Sequence, residues 1–288
     1  MTLDLLAKTK LLCESYQINP QRSKGQNFLA SSEILDQIVE IAAITNQDLI
    51  LEVGPGLGVL TEKLVAKANR VVSVELDDKL FNFLKTKFIN HQNLTLVNND
   101  ILKWELPDDF GIQPYKIVAN LPYNISSNFL KKFLTSANKP ISMTLLLQKE
   151  VAQRIVAGAG QLSLLGVSVQ LYGNPVLAAV VGKENFWPRP QVDSAILKID
   201  NIKTPKQVDN FLNGLSEKFF WQILRIGFAA KRKQLQNNLS SGLKIESKII
   251  QNLLKQANFD PKIRAQNLAV SDWVRLGLLI NQLTDKQH

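Results

Sequence analysis

The segment Leu49-Ile50-Leu51-Glu52-Val53-Gly54-Pro55-Gly56-Leu57-Gly58 decides the fold of this chain. Its apolar first half predicts a buried strand, and residues 59–68 then predict a helix. The three glycines between them let the backbone turn sharply and approach a ligand closely. The spacing is G-x-G-x-G rather than the G-x-G-x-x-G of dinucleotide-binding turns, so the turn alone is weak evidence for a nucleotide.

Strand-like and helix-like segments alternate downstream of this turn. Strands are predicted at 71–75, 94–97, 117–120 and 143–147, with helices at 77–89 and from Ser126. This alternation predicts an α/β fold with a parallel sheet and helices on both faces. A late antiparallel pair is predicted at 176–181 and 192–199, whereas residues 161–172 fit either a strand or a helix.

Polar residues stand where these strands end, which is the edge of a parallel sheet that binds ligands. Glu75 ends the second strand, about twenty residues after the glycine turn, where an acid binds the hydroxyls of a ribose. Asp100 follows the third strand and suits either the amino group of an adenine or the cap of a turn. Asn120-Leu121-Pro122-Tyr123 ends the fourth strand and suits either a pocket that grips a planar amine or a simple turn from strand to helix.

An adenosine-containing ligand fits these acids, and both NAD and S-adenosylmethionine contain adenosine. A hydride-transfer enzyme commonly uses a His or a Tyr-Lys pair, and no such set is evident. Methyl transfer needs a nucleophile aimed at the sulfonium methyl group, so positioning supplies most of the catalysis. The amine-positioning segment at Asn120 therefore favours S-adenosylmethionine.

The composition excludes several other classes of protein. The chain has 288 residues, of which 45% are hydrophobic and 20% charged, and no apolar run is long enough to span a membrane. The first residues lack the pattern of a signal peptide. One cysteine, Cys13, and two distant histidines, His91 and His288, leave no basis for disulfides or a metal site. We expect a cytoplasmic protein without a metal.

The net charge of +9 is concentrated in the C-terminal third. Residues 201–288 contain 14 Lys and Arg against 6 Asp and Glu, whereas residues 1–200 contain 20 against 19. A polyanion partner and a merely basic surface both remain open. Helical periodicity takes over near Thr204-Pro205, so we predict a cofactor-binding domain at 1–204 and a basic helical domain at 205–288.

Six segments together resemble the rRNA adenine dimethyltransferase family, within it most closely the small-subunit enzymes. They run in family order from about residue 22 to about 240, and they are highly specific as a set although none is so alone. The segments are Gln26-Asn27-Phe28-Leu29, Glu52 to Gly58, Glu75, Asn99-Asp100, Asn120 to Ser126 and Pro190-Gln191-Val192-Asp193-Ser194.

The resemblance implies a Rossmann-like class I methyltransferase with a small C-terminal all-helical domain and S-adenosylmethionine as cofactor. It implies that the segment of Asn27 and Leu29 closes over the cofactor and that Gly54 contacts its methionine portion. It further implies that Glu75 takes the ribose, that Asp100 takes the adenine amine, and that Asn120 lies between cofactor and target.

The implied reaction is the transfer of two methyl groups to N6 of each of two adjacent adenosines, in a hairpin loop near the 3′ end of 16S rRNA in the 30S subunit or its precursor. Hydrogen bonds from N6–H to the Asn120 side chain and the Leu121 carbonyl would make the nitrogen more nucleophilic. Tyr123 would stack on the target base. Phe186 is predicted either to cover its other face or to be a core aromatic residue.

In the C-terminal third, the resemblance favours Lys231, Arg232 and Lys233 as phosphate contacts. The family prefers Arg-Arg-Lys followed by Thr-Leu, so Lys231 and Gln234 depart from its pattern, and a solvated charge run remains the alternative. Three other functions stay open, namely a 23S rRNA adenine methyltransferase of the macrolide-resistance type, a noncatalytic assembly or transcription factor, and an NAD-dependent dehydrogenase. Nothing in the sequence indicates an obligate dimer, and we expect a monomer.

Overall fold

A mixed seven-stranded sheet is the main element of the N-terminal two thirds of the chain. The computed structural model describes residues 4–21, 25–107, 110 and 113–285. Residues 22–24, where the family resemblance begins, and His288 lie outside the described residues. The strands are β1 (Phe28–Leu29), β2 (Leu49–Val53), β3 (Arg70–Glu75), β4 (Leu94–Asn98), β5 (Tyr115–Asn120), β6 (Ser142–Gln148), β7 (Asn174–Val181), β8 (Phe186–Trp187) and β9 (Ser194–Asp200).

The strand order across the sheet is β4-β3-β2-β5-β6-β9-β7. The first five strands in this order, β4, β3, β2, β5 and β6, are parallel to one another. Strand β9 is antiparallel to both β6 and β7. The predicted α/β fold and the late antiparallel pair are therefore confirmed. The chain order reverses between β2 and β5, and open α/β sheets bind ligands beyond the carboxyl ends of their strands at such a point.

Helices connect the strands and form the C-terminal part. They are α1 (Leu5–Ser15), α2 (Ser32–Ile41), α3 (Val59–Val65), α4 (Asp78–Lys87), α5 (Ser126–Thr135), α6 (Lys149–Val156), α7 (Leu164–Gln170), α8 (Pro205–Leu212), α9 (Glu217–Gly227), α10 (Leu235–Leu243), α11 (Ser247–Gln256) and α12 (Val270–Asp285). The ambiguous segment 161–172 contains helix α7, which begins after Ser163 because that side chain accepts a hydrogen bond from the Gly166 backbone N–H.

The central strands of the sheet consist almost entirely of apolar residues because they are buried. Every residue of β2 is buried, because helices cover both faces of the sheet. The apolar faces of α2 and α3 pack on one side in a cluster that includes Leu35, Ile38 and Leu64. Near the first helix, Cys13 and Ile18 pack in a second cluster with residues of α4.

The chain divides into two compact units. A sheet unit comprises residues 1–153 and 174–202, and a helical unit comprises residues 154–173 and 203–288. The predicted boundary at residue 204 falls beside the last junction, whereas residues 154–173 group with the helical unit. Within that unit, Glu217 of α9 accepts hydrogen bonds from the Tyr172 hydroxyl and the Trp221 indole, which ties the segment 154–173 to the C-terminal helices.

Among the described residues, none of the helices combines the length and the apolar character that crossing a lipid bilayer requires.

Candidate active site

The glycine turn after β2 has a backbone that only glycine adopts readily. Gly54, Gly56 and Gly58 have φ angles of 64°, 58° and 71°. The Gly58 N–H donates to the Pro55 carbonyl at 2.8 Å and closes the turn. A Cβ atom on Gly58 would lie 2.6 Å from the Phe88 ring. Glycine at position 58 therefore lets the turn pack closely against Leu84 and Phe88 at the end of α4.

Glu75, at the end of β3, is fixed by two backbone groups. One carboxylate oxygen accepts from the Gly56 N–H at 3.1 Å, and the other accepts from the Asp77 N–H at 2.9 Å. The residue is 6% exposed, and this burial raises its pKa despite the two hydrogen bonds. Each oxygen keeps a second lone pair, so the carboxylate can still accept hydrogen bonds from two neighbouring hydroxyl groups.

Glu52, the fourth residue of the buried strand β2, lies in a segment that the sequence analysis quoted, but that analysis gave it no role of its own. Its Oε2 accepts from the hydroxyls of Thr61 and Ser73 at 2.7 and 2.5 Å, whereas its Oε1 has no hydrogen-bond partner among the described residues. Burial raises its pKa to about 7. The available signal was an acid inside an apolar strand, since a buried carboxyl needs partners.

Asp100 caps a turn and also lies in the wall of the cavity. Its Oδ1 accepts from the Leu102 N–H at 2.9 Å, so the side chain caps a turn, and the residue also lines the cavity described below. The preceding Asn99 donates its backbone N–H to the Glu75 carbonyl at 3.0 Å. This hydrogen bond joins the ends of β3 and β4. Glu75 and Asp100 therefore lie in the same wall of the cavity.

The end of β5 presents acceptor atoms. The Asn120 amide nitrogen donates to the Asn27 carbonyl at 3.3 Å, which leaves the amide oxygen as an acceptor. The Leu121 N–H donates to the Leu146 carbonyl at 3.0 Å and fixes the following peptide. The Tyr123 hydroxyl is 2.7 Å from the Ser194 hydroxyl, and burial raises the pKa of this phenol, which therefore stays neutral.

One cavity of about 240 Å³ at this edge of the sheet brings most predicted site residues together. Glu52 also lines it. The predicted residues in its wall are Asn27, Leu29, Gly54, Glu75, Asp100, Asn120, Leu121 and Tyr123. The sequence could group these residues because they follow the ends of adjacent parallel strands.

Phe186 lies elsewhere. It is 3% exposed and packs in the core cluster with Leu29 and Leu35, and it is absent from the cavity wall formed by the described residues. The short strand β8 pairs with β1, with Phe186 opposite Leu29, and this pairing places the ring in the core. The core-aromatic alternative describes its position.

Lys231, Arg232 and Lys233 belong to the helical unit, in the segment between α9 and α10. All three are exposed. Asn238 contacts the start of this segment, because its side-chain amide donates hydrogen bonds to the carbonyls of Gly227 and Ala230 at 2.6 and 3.2 Å. The segment is a loop with three exposed basic side chains, and hydrogen bonds hold its first residues.

The cavity suits an adenosine compound. Glu75 and Asp100 supply acceptors for hydroxyl and amino groups. No group of three potential metal-ligating side chains occurs in the part of the chain that the structure describes.

Solved structures with a similar fold indicate the class of protein. A dimethyladenosine transferase from Plasmodium falciparum superposes with a TM-score of 0.74 at 26% sequence identity, covering 88% of this chain and 98% of that one. A 23S rRNA methyltransferase, ErmE, gives a TM-score of 0.69 at 25% identity, covering 89% and 100%. The fold and the cavity thus define a Rossmann-like methyltransferase.

The sequence comparisons narrow the class. The profile described as Ribosomal RNA adenine dimethylase matches residues 18–282. Two relatives bear the name Ribosomal RNA small subunit methyltransferase A. The one from Dehalococcoides mccartyi strain CBDB1 is 44% identical over 275 residues, or 95% of this chain and 93% of that protein. The one from Alkaliphilus oremlandii is 35% identical over 286 residues, or 97% of each. The chain belongs to the ribosomal RNA adenine dimethylase family and is an rRNA adenine methyltransferase.

Proposed function

We propose that this enzyme transfers methyl groups from S-adenosyl-L-methionine to N6 of two adjacent adenosines in the hairpin loop near the 3′ end of 16S rRNA. The main support is that one cavity combines the acids Glu75 and Asp100 with the acceptor atoms at Asn120. The relatives that share 35 to 44% identity over almost the whole chain carry a name that specifies the small-subunit rRNA. The product would be N6,N6-dimethyladenosine, and the biological role would be small-subunit biogenesis.

S-adenosylmethionine fits the residues of the cavity and would supply an electrophilic methyl group on a sulfonium centre. Glu75 would accept hydrogen bonds from the two ribose hydroxyls, and Asp100 from the adenine amino group. Gly54 would contact the methionine portion, with Asn27 and Leu29 covering the cofactor. The carboxyl of Glu52 lies in the wall of the same cavity.

The chemical difficulty is that the N6 lone pair of adenine is delocalised into the ring. Two acceptors at the end of β5, the amide oxygen of Asn120 and the carbonyl of Leu121, would take hydrogen bonds from N6–H. These bonds favour a pyramidal nitrogen with a more available lone pair. Water can take the proton that the methylated nitrogen releases, so the protein needs no strong base, and positioning accounts for most of the rate.

The target base must leave its stack to reach the cavity, and an adenosine in a loop is cheap to unstack. Tyr123 would stack on one face of the extruded base. Its hydrogen bond with Ser194 holds the ring in place, so little rotamer entropy would be lost when the base binds. Phe186 does not complete this stack in our proposal, because its ring is buried.

The helical unit would hold the rRNA through phosphate contacts. Lys231, Arg232 and Lys233 are exposed on one loop, which suits contacts that depend on charge more than on geometry. Since the substrate is part of the 30S subunit or its precursor, the protein would act in the cytoplasm. We propose that the protein acts as a monomer.

The decisive experiment uses 30S subunits from cells that lack the modification, incubated with the protein and cofactor carrying a labelled methyl group. We expect label in 16S rRNA, mapped to two adjacent adenosines, and at least a 100-fold slower transfer by Asn120→Ala. Normal turnover by that variant would remove the amine-positioning role. Label in a different nucleotide would overturn the proposed substrate.

The resemblance to ErmE supports testing a second substrate, because that protein is a 23S rRNA methyltransferase. The same assay with 23S rRNA separates the two possibilities. If 23S rRNA alone is methylated, the proposed substrate is wrong. A noncatalytic assembly role predicts that Asn120→Ala supports subunit maturation as fully as the unaltered protein.

A further inference from the structure

Lys132, on helix α5, bonds to the loop that carries Asp100. Its Nζ donates to the carbonyl of Ile101 at 2.9 Å and also to the carbonyl of Trp104. These two oxygens belong to the turn that begins at Asp100. A side chain from a helix 28 to 31 residues further along the chain thus closes a turn beside the cofactor cavity.

Residues 100–104 form a single helical turn, and backbone groups at both of its ends have hydrogen-bond partners. The Asp100 carbonyl accepts from the Lys103 and Trp104 N–H groups at 2.9 and 2.7 Å, and its carboxylate accepts from Leu102. A helical turn leaves its last carbonyls without partners and carries a partial negative charge at that end. Lys132 places a cation there. The turn is therefore capped by Asp100 at its start and by Lys132 at its end.

Helix α5 is a rigid support for this contact. Four of its apolar residues are at most 1% exposed, namely Phe129, Leu130, Phe133 and Leu134. The helix also begins directly after the segment Asn120 to Ile125, which lines the same cavity. Burial lowers the pKa of Lys132, while the nearby carboxylates of Glu105 and Asp100 act in the opposite direction and favour its charged form.

We propose that Lys132 is a positioning residue for the adenine end of the cofactor. By bonding the carbonyls of Ile101 and Trp104, it holds the turn so that the Asp100 carboxylate stays in the cavity wall. The inference rests on the proposed function, because it assumes that Asp100 binds the adenine amino group. A purely structural brace would instead stabilise the fold without changing how tightly the cofactor binds.

The first test compares Lys132→Met with Lys131→Met, a matched control on the same helix whose side chain is exposed. We expect the Kd of S-adenosylhomocysteine, measured by calorimetry, to rise about 10-fold for Lys132→Met, because a displaced Asp100 carboxylate would lose its charge-assisted hydrogen bond to the adenine amino group. The KM of the cofactor should rise equally, with kcat within about 2-fold. Lys131→Met should bind normally, and Lys132→Arg should recover part of the affinity.

A double-mutant cycle with Asp100→Ala then tests whether Lys132 acts through Asp100. In the Asp100→Ala background, Lys132→Met should weaken binding by less than about 2-fold, because the group it positions is gone. A further 10-fold loss would overturn the proposal, as would normal affinity of Lys132→Met with a lowered melting temperature. Lys132→Leu, with the same prediction, replaces Lys132→Met if that variant does not fold.

The outcomes for this inference and for the proposed function are separable. If the unaltered protein methylates 16S rRNA but Lys132→Met binds S-adenosylhomocysteine normally, only the role of Lys132 fails. If the unaltered protein neither binds this compound nor methylates rRNA, the proposed function fails and the inference with it.

Discussion

The acids of the sheet unit are buried and held by hydrogen bonds, whereas the basic side chains of the loop between α9 and α10 stand in solvent. Glu75 accepts hydrogen bonds from two backbone N–H groups, and Glu52 accepts hydrogen bonds from two hydroxyls. Lys231 and its two basic neighbours are exposed. Methyl transfer needs groups fixed at defined positions, while phosphate binding depends mainly on the number of charges. Variants in the sheet unit should therefore act through geometry, and variants in the loop through charge.

Gly58→Ala should produce the largest effect in the comparison. The new Cβ atom would lie 2.6 Å from the Phe88 ring at a φ of 71°, so both a clash and backbone strain oppose it. We expect a loss of about 4 kcal/mol in the free energy of unfolding, measured by urea denaturation. Gly160→Ala in the helical unit is the control, since nothing lies within 4 Å of its Cβ position, and it should cost about 1 kcal/mol.

Glu52→Gln should change how stability depends on pH. Because burial raises the pKa of Glu52 to about 7, its folded form holds a proton that the unfolded chain releases near its ordinary value, and stability falls as the pH rises through 7. The neutral glutamine removes this loss. Relative to the unaltered protein, we expect the variant to gain on the order of 3 kcal/mol between pH 5 and pH 8. Parallel stability profiles would mean that Glu52 is ionised throughout.

Glu75→Gln tests whether the fixed acid of β3 binds the cofactor. We expect the Kd of S-adenosylhomocysteine to rise about 100-fold, because a neutral amide cannot accept both ribose hydroxyls while keeping both backbone hydrogen bonds. The Kd for rRNA should stay within about 2-fold. Glu40→Gln, at an exposed position of α2, serves as the control. An equal loss of rRNA affinity would mean that the lesion is not confined to the cofactor.

Replacing Lys231, Arg232 and Lys233 together by alanine should weaken rRNA binding and leave cofactor binding intact, which is the reverse of the effect expected for Glu75→Gln. We expect rRNA affinity to fall about 10-fold at moderate salt, and the slope of log K against log salt to decrease by about 2, because fewer counterions are released. Cofactor affinity should be unchanged. A salt slope equal to that of the unaltered protein would show that the basic loop is only a solvated surface.

Phe186→Leu should have the smallest effect on activity. The ring is 3% exposed in the core, so we expect a loss of about 1 to 2 kcal/mol in stability and a change of less than about 2-fold in methyl transfer per folded molecule. Tyr123→Leu is the comparison, because that residue lines the cavity and should slow transfer about 10-fold. If both substitutions slow transfer equally, Phe186 contacts the base after all.

The contrast between Asn120 and Phe186 explains what could be predicted. Asn120 ends a parallel strand, and parallel strands bring their carboxyl ends to one edge, so the strand pattern was sufficient to group it with Gly54, Glu75 and Asp100. Phe186 lies in an irregular stretch after β7, where no periodicity fixes the direction of a side chain. Its direction depends on the pairing of β8 with β1, more than 150 residues apart in sequence.

The sequence by itself determined the α/β fold and the order of its site residues, because strand periodicity and turn chemistry are local properties of the chain. The tertiary structure alone decided three features. These are the Glu52 oxygen that has no hydrogen-bond partner among the described residues, the burial of Phe186, and the hydrogen bonds of Lys132 to the Asp100 turn. Each depends on packing between elements far apart in the chain, and that packing follows from the shape of the whole core rather than from any local pattern.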